Sequence, residues 1–323
     1  MDVRLIGLDW GTTALRAYCL GENGHVLATR ALAKGIMNIA KGGFEQVLHE
    51  ACGDWRELAP QVPVVACGMV GSAQGWREAP YCMAPASPAG VAAGLVRQPL
   101  QDGGCLHIIP GVLQDGALPN VMRGEETQVF GLLQTLAQAE GKTPWLIGLP
   151  GTHSKWVQVE EGCIRHFDTF MTGELFAVAC QHTILGRTQA PSEAFQQQAF
   201  DRGVAVARSA EGRLGLLATL FSARTLGLTN VLAPHEQADY LSGLMIGHEV
   251  AALVNARPGA TSTGAIALIG SPALCQRYQR VLHACGFANV RISDQATELG
   301  LWSLAAAAGL VQPDLKELTH VAQ

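Results

Sequence analysis

Leu5-Ile6-Gly7-Leu8-Asp9-Trp10-Gly11-Thr12-Thr13 is an apolar strand that runs straight into a turn of small residues. The same tetrapeptide opens a second stretch, Leu146-Ile147-Gly148-Leu149-Pro150-Gly151-Thr152-His153-Ser154. An apolar strand feeding a Gly-Thr turn sets consecutive backbone amides around a concavity, which is a cradle for phosphate. Two such turns in one chain predict a duplicated fold that grips one polyphosphate from two sides.

The residues after each copy support the duplication. Val3–Leu8, Ala14–Leu20 and His25–Ala31 read as a three-strand meander, with Glu22-Asn23-Gly24 as its second turn. Trp145–Leu149, Lys155–Val159 and Cys163–Phe167 repeat the pattern, turning at Glu161-Gly162. The first half adds a helix over Phe44–Trp55 and a buried strand, Pro63–Cys67, that enters Gly68-Met69-Val70-Gly71-Ser72. A strand at Leu106–Ile109 and a helix over Thr127–Leu136, led by Arg123-Gly124-Glu125-Glu126, complete it. The second half is mainly helical from Gly173 to Ala256. A strand at Ala265–Ile269 then leads through Gly270-Ser271-Pro272 into a helix over Ala273–Ala284, a strand at Val290–Ile292 and a helix over Glu298–Gly309. The pattern is α/β with mixed sheets. The junction is expected near Pro119–Gly124, and no low-complexity linker separates the halves, so they are expected to touch across a cleft.

A chain of 323 residues suggests about two domains. With 15% charged and 48% hydrophobic residues, a large core is expected and long disorder is not. The net charge of −5 and the lack of any Lys/Arg run argue against a nucleic-acid partner. A small anionic ligand stays open, because local amides and single cations suffice to hold one. No stretch reaches the roughly 18 apolar residues of a membrane span, and the N-terminus enters a strand at once, without a signal peptide. Nine cysteines, an odd number with no C-x-x-C spacing, point to reduced thiols in a cytoplasmic protein rather than disulfides or zinc.

Asp9 ends a buried strand and points beyond the sheet edge. Gly11 permits close approach of phosphate, and Thr12 and Thr13 offer hydroxyls and amides. Asp9 would hold Mg²⁺, which takes one or two carboxylates and keeps several waters; the alternative is an Asx-type turn closing a hairpin. Glu125 and Glu126 open a helix, where carboxylates also serve as caps. Arg123 has the guanidinium fork that suits carboxylate or phosphate. Ser72, Gln74 and Trp76 lie in a loop after a first-half strand, and Thr172 and Glu174 occupy a similar place in the second; loops beyond strand ends commonly build small-molecule sites. Each of these could equally be an ordinary loop or cap residue. Trp10, Trp145 and Trp302 read as core.

The duplicated strand–turn–strand pattern resembles the sugar-kinase, Hsp70 and actin superfamily of ATP-binding proteins. Asp9-Trp10-Gly11-Thr12-Thr13, Gly68-Met69-Val70-Gly71-Ser72 with Gly75-Trp76, Met122-Arg123-Gly124-Glu125-Glu126-Thr127-Gln128 and Leu149-Pro150-Gly151-Thr152-His153-Ser154-Lys155-Trp156 closely resemble the 2-dehydro-3-deoxygalactonokinase family over nearly the whole chain. The resemblance implies two ribonuclease-H-like (actin/hexokinase-like) domains, 1–121 and 122–323, flanking an ATP cleft. It implies an ATP- and Mg²⁺-dependent kinase for the 6-hydroxyl of 2-dehydro-3-deoxy-D-galactonate, acting in galactonate catabolism. Gly11, Thr12, Thr13, Gly151, Thr152, His153 and Ser154 would then line the phosphates, with His153 orienting its turn, and Gly270 and Ser271 would meet adenosine. Pro150 stands where the first copy has Asp9-Trp10, so only the first turn supplies a carboxylate on the metal side.

The superfamily also calls for a carboxylate that takes the sugar hydroxyl's proton; Glu126 is preferred over Glu125, though spacing does not separate them. Lys155 would neutralise the transferred phosphoryl group or the substrate carboxylate, or else be an exposed strand lysine. Thr172 and Glu174 would reach substrate hydroxyls. The late Glu298–Gly309 helix resembles the superfamily's second connecting helix. The partners expected are the sugar acid and ATP, with no nucleic acid and no membrane, and a homodimer is the default for an enzyme of this size. A kinase of the same fold for 2-dehydro-3-deoxygluconate, or a phosphatase of polyphosphate or guanosine pentaphosphate, is the rival.

Overall fold

The computed structural model describes residues 2–140, 144–257, 265–293 and 295–312. Parts of the expected second domain, at 141–143, 258–264, 294 and 313–323, lie outside the described residues.

β1 (Leu5–Trp10), β2 (Leu15–Leu20) and β3 (Val26–Leu32) form the antiparallel meander, β1 pairing with β2 from Leu5–Leu20 to Trp10–Leu15. β1 runs two residues past its expected end because Trp10 is fully buried and its indole N–H donates to Lys34 O at 2.9 Å. After α1 (Phe44–Leu58), β4 (Val64–Cys67) lies parallel to β1. Then come β5 (Cys82–Met83), α2 (Pro88–Ala93), β6 (Val96–Pro99), β7 (Cys105–Ile108), β8 (Val112–Gln114), β9 (Asn120–Met122) and α3 (Glu125–Glu140). The main sheet has the order β3-β2-β1-β4-β7-β6, and β5-β8-β9 form a small separate one.

The second half contains β10 (Trp145–Leu149), β11 (Ser154–Glu160), β12 (Cys163–Phe170) and α4 (Thr172–His182). Helices α5 (Gln197–Ala207), α6 (Leu216–Thr219), α7 (Ser222–Leu228) and α8 (Gln237–Ala256) come next. β13 (Ile266–Ile269), α9 (Pro272–Ala284), β14 (Val290–Ser293) and α10 (Ala296–Ala307) end the described chain. Its sheet has the order β12-β11-β10-β13-β14, with β10, β13 and β14 parallel.

The two orders are the same device. Each first strand has its meander on one side and a parallel crossover strand on the other, so the strand order reverses beside it. Open α/β sheets leave a crevice at that reversal, outside the carboxyl ends of the strands. Both Gly-Thr turns stand at such a point, Gly11 after β1 and Gly151 after β10.

By contact, the described residues within Met1–Thr143, Val159–Phe167 and Gln295–Gln323 form one compact unit, and those within Pro144–Gln158 and Asp168–Asp294 a second. This grouping differs from the expected split between 121 and 122 in taking α3, Val159–Phe167 and α10 with the first sheet, the two helices by direct packing. The cause is close helix packing. A Cβ on Gly131 of α3 would stand 1.8 Å from Ala296 O, and one on Gly300 of α10 would stand 1.9 Å from Thr127 O. α5 and α8 cross the same way in the second unit, at Gly203 and Gly243. Among the described residues no helix is long and apolar enough to cross a membrane. The nine cysteines are free thiols.

Candidate functional site

β1 and β4 end side by side, with Asp9 opposite Cys67 in the parallel ladder. Asp9 is partly exposed. Burial lifts its pKa above the usual carboxylate value, and the Arg16 charge pulls the other way. Gly68 continues β4 with φ +90°; a Cβ there would lie 2.9 Å from Trp10 O and 3.5 Å from Asp9 Oδ1. Glycine therefore keeps free the space beside the Asp9 carboxylate. The first turn is held from behind by residues that the sequence did not single out. Gly11 O and Thr12 O accept from Ile36 N and Met37 N at 3.0 and 3.1 Å, and Thr13 O accepts from Asn38 Nδ2 at 3.2 Å. With these carbonyls engaged, the exposed Thr12 and Thr13 side chains occupy the outer face of the turn.

The Arg123–Glu126 segment reaches the same end of the sheet. Gly124 has φ +110°, and a Cβ on it would come within 3.3 Å of Gly68 Cα. Glu126 has no exposed surface; its Oε2 accepts from Gly124 N at 2.7 Å and its Oε1 from Thr127 Oγ1 at 3.0 Å. Burial first, and the neighbouring Glu125 charge second, push its pKa up to about 8. Glu125 keeps some exposure, and its Oε2 accepts from Arg123 N at 2.9 Å. The preferred proton acceptor is thus the enclosed member of the pair, and it is largely protonated near neutrality. Cys67, fully buried, neighbours the Asp9 and Glu126 carboxyl groups, and burial raises its thiol pKa far above normal. The Arg123 guanidinium lies over the Tyr81 ring at 4.4 Å and donates through Nη2 to Ala79 O at 2.8 Å. Its Nε and Nη1 are buried without a hydrogen-bond partner.

Of the nearby loop residues, Ser72 Oγ donates to Met69 O at 2.8 Å and Gln74 is exposed. Trp76 stacks on Phe44 at 5.7 Å and meets the edge of Trp10 at 6.1 Å, so much of its ring packs into the core.

In the second unit, α4 clamps the second turn. Glu174 N donates to Thr152 O at 3.0 Å, and a Cβ on Gly173 would stand 2.3 Å from Gly151 O. His153 Nε2 and Glu174 Oε2 are 2.5 Å apart, so Glu174 holds the turn's histidine. Gly151 itself is open; a Cβ there would meet nothing within 4 Å. Ser154 is buried and shares a 2.8 Å hydrogen bond with Tyr278 Oη. Lys155 is only 6% exposed, not a solvated strand lysine, and its Nζ donates to Thr169 Oγ1 at 2.8 Å. Gly270, with φ +155°, lies against Pro150 O, so the two strand-end turns adjoin. The Ser271 side chain makes no capping hydrogen bond to α9.

Beside Gly151 opens a cavity of about 100 Å³, walled by Thr172, Gly173 and Phe176 of α4, Ser242, Met245 and Ile246 of α8, and Leu274, Arg277 and Tyr278 of α9. Arg277 pairs with Asp239 at 2.8 Å and lies 4.7 Å over Phe195. Apart from Thr172, none of these walls was singled out from the sequence, since helical periodicity in a fully helical stretch does not distinguish a core face from a pocket face. Thr172 and Glu174, expected near substrate hydroxyls, stand at this second turn.

The chain as a whole is similar to known proteins. The family model described as 2-keto-3-deoxy-galactonokinase matches residues 9–304. A Rhizobium meliloti (strain 1021) protein named Probable 2-dehydro-3-deoxygalactonokinase DgoK1 is 38% identical over 306 residues, covering 93% of this chain and 96% of its own. The Escherichia coli (strain K12) 2-dehydro-3-deoxygalactonokinase is 35% identical over 309 residues, 95% of this chain and 99% of its own. A crystal structure from Sinorhizobium meliloti, provisionally described as a 2-dehydro-3-deoxygalactonokinase, superposes with TM-score 0.82 at 37% identity, covering 94% of this chain and 98% of that one. With the family model matched over nearly its whole length, the chain belongs to the 2-keto-3-deoxy-galactonokinase family.

Proposed function

We propose that this protein uses ATP to phosphorylate the 6-hydroxyl of 2-dehydro-3-deoxy-D-galactonate, giving the 6-phospho acid and ADP in galactonate catabolism. The observation that carries the proposal is the family match over residues 9–304. Both curated relatives carry the galactonokinase name, which does not favour a phosphatase or a gluconate-type kinase.

Phosphoryl transfer rests mainly on positioning and charge neutralisation. The sugar O6 attacks the γ-phosphorus, the bond from that phosphorus to the β–γ bridging oxygen breaks, and ADP leaves with the electron pair. Thr12, Thr13, Gly11, Gly151, Thr152 and Ser154 line the phosphate path, with His153 fixing the second turn through Glu174. Gly270, Ser271 and the 100 Å³ cavity beside Gly151 receive the adenosine. Arg123, Ser72, Gln74 and Trp76 face the sugar acid, and Lys155 neutralises developing charge. The O6 proton passes to the Glu125–Glu126 pair. Within it, reach favours Glu125, with Glu126 holding the Gly124 turn. The space kept by Gly68 beside Asp9, together with the Thr12 and Thr13 hydroxyls, suits Mg²⁺, which takes one or two carboxylates plus substrate phosphates. When bound, Mg²⁺ neutralises charge on the transferring phosphates. A cytoplasmic homodimer with reduced thiols completes the proposal.

A coupled ADP-release assay with a panel of 2-keto-3-deoxy sugar acids tests it. The expected result is ADP release that depends on the acid and is fastest with the galactonate epimer. Release without any acid, or preference for the gluconate epimer, overturns it.

A further inference from the structure

Below the second turn lies a buried carboxylate that the transfer step leaves unused. Glu249 is on α8, 3% exposed. Its Oε1 accepts from Trp156 Nε1 at 2.7 Å, and its Oε2 accepts from Tyr278 Oη at 2.7 Å. Tyr278 Oη in turn shares its 2.8 Å hydrogen bond with Ser154 Oγ. One carboxylate thereby fastens β11, α8 and α9 together. Two of these elements, α8 and α9, wall the cavity beside Gly151, and the third, β11, begins at Ser154, the last residue of the turn.

Burial alone does not account for such an arrangement. A buried carboxylate is costly unless it is hydrogen-bonded, and an apolar side chain of similar size would fill the same volume without that cost. What the carboxylate adds is direction. It holds Trp156 and Tyr278 in one mutual geometry, and through Tyr278 it fixes Ser154. At metal sites, outer partners of this kind orient the groups that touch the ligand, and losing them costs about 10–100-fold in affinity or activity; the same logic applies to this turn.

We infer that Glu249 is a positioning residue for the nucleotide, holding Ser154 and Tyr278 in place so that the second turn and the adjoining cavity are preformed. The inference rests on the proposal that this turn and cavity receive ATP.

Glu249→Gln keeps the volume and the acceptor for Trp156 Nε1 but turns a donor toward Tyr278 Oη, so the bond to Tyr278 must reverse and its link to Ser154 is reset. In full-length enzyme the expected result is a KM for ATP raised by about tenfold, with the KM for the sugar acid unchanged and kcat changed less than the KM for ATP. Tyr278→Phe removes the hydroxyl that donates to Glu249 and joins it to Ser154, and it leaves the Trp156–Glu249 bond in place. It should raise the KM for ATP by a smaller factor in the same direction, and it decides the matter should Glu249→Gln not fold. A lower melting temperature with an unaltered KM for ATP, or equal rises in both KM values, overturns the inference. Gly151→Val separates it from the proposal beneath it. The added side chain begins in open space and fills the phosphate path. If Gly151→Val leaves the KM for ATP unchanged, the nucleotide does not bind there and the proposal itself fails. If Gly151→Val raises that KM and the Glu249 and Tyr278 variants do not, the inference alone fails.

Discussion

Asp9 carries a cost that folding alone does not explain. Its carboxylate is held at a sheet end where burial disfavours the charge, and the facing Arg16 offsets this only in part. Replacing it with a neutral isostere should separate function from stability. Asp9→Asn is expected to lose at least about 100-fold in kcat, the scale seen when one electrostatic contact to the reacting group is removed. Its melting temperature at pH 7 should be no lower than that of the parent, and a thermal melt beside the kinetic assay checks both. An Asn variant that keeps full activity removes the metal role. Glu126 differs because it is enclosed. Its folded pKa of about 8 lies above the unfolded value near 4.5, so the folded state holds a proton that the unfolded state has lost between those pH values. Stability from this group is fully present below about pH 4.5 and declines as pH rises through 8. Glu126→Gln imitates the protonated form, so its urea midpoint should fall less steeply than the parent's between pH 5 and pH 8. Glu125→Gln removes the charge that adds to the rise in the Glu126 pKa, so it should lessen the slope by a smaller amount, and it should take the larger loss in kcat. The sequence placed this pair at a helix start but carried no signal for which carboxyl the fold would enclose, because enclosure depends on Thr127 and on packing from distant residues. Lys155 shows the same gap, since its burial follows from Thr169 on the neighbouring strand.

At the scale of elements, the long strands and helices were legible because their patterns are long. β10 and β13 are apolar throughout and β1 is apolar up to Asp9, as strands covered on both faces are. The stretch between β4 and α3 was not. β5 has two residues and β8 and β9 three each, too short for any period to show, and they exist only because they pair with one another. Helix crossings were legible only as composition. The tight contact falls at Gly300 and Gly131, where backbone meets backbone. Gly300→Ala puts a methyl 1.9 Å from Thr127 O, a backbone atom that moves only if α3 moves. We expect a loss of about 3 kcal/mol or more, the upper part of the range for overpacked cores, measured by urea unfolding. A fall in kcat should accompany it, because Thr127 hydrogen-bonds Glu126. Ser303→Ala, on the same helix and at an exposed hydrogen bond with Gln134, should change neither by much.

For the whole molecule, the duplicated order of the two sheets has a consequence that neither half shows alone. Each sheet brings one small-residue turn to its own point of strand reversal, but the two turns differ in equipment. The first has a carboxylate at its strand end and is joined by the Arg123–Glu126 segment. The second has Pro150 there instead, with an open Gly151 and an adjoining cavity. Nucleotide and sugar acid should therefore protect different segments of the chain from hydrogen exchange. A ligand at 100 times its Kd stabilises what it binds by about 2.7 kcal/mol, which slows exchange through the affected openings by up to about 100-fold. A non-hydrolysable ATP analogue with Mg²⁺ should slow exchange across residues 151–156, 172–178 and 270–278, and to a smaller extent at 9–13, where only phosphate and metal contacts are expected. The sugar acid alone should act on 68–76 and 122–126 and leave 270–278 unchanged. Peptide-resolved exchange mass spectrometry reads all of these segments in one experiment. If the analogue protects the first unit alone, the second turn is a remnant of duplication without a ligand, and the assignment of adenosine to the cavity beside Gly151 falls with it.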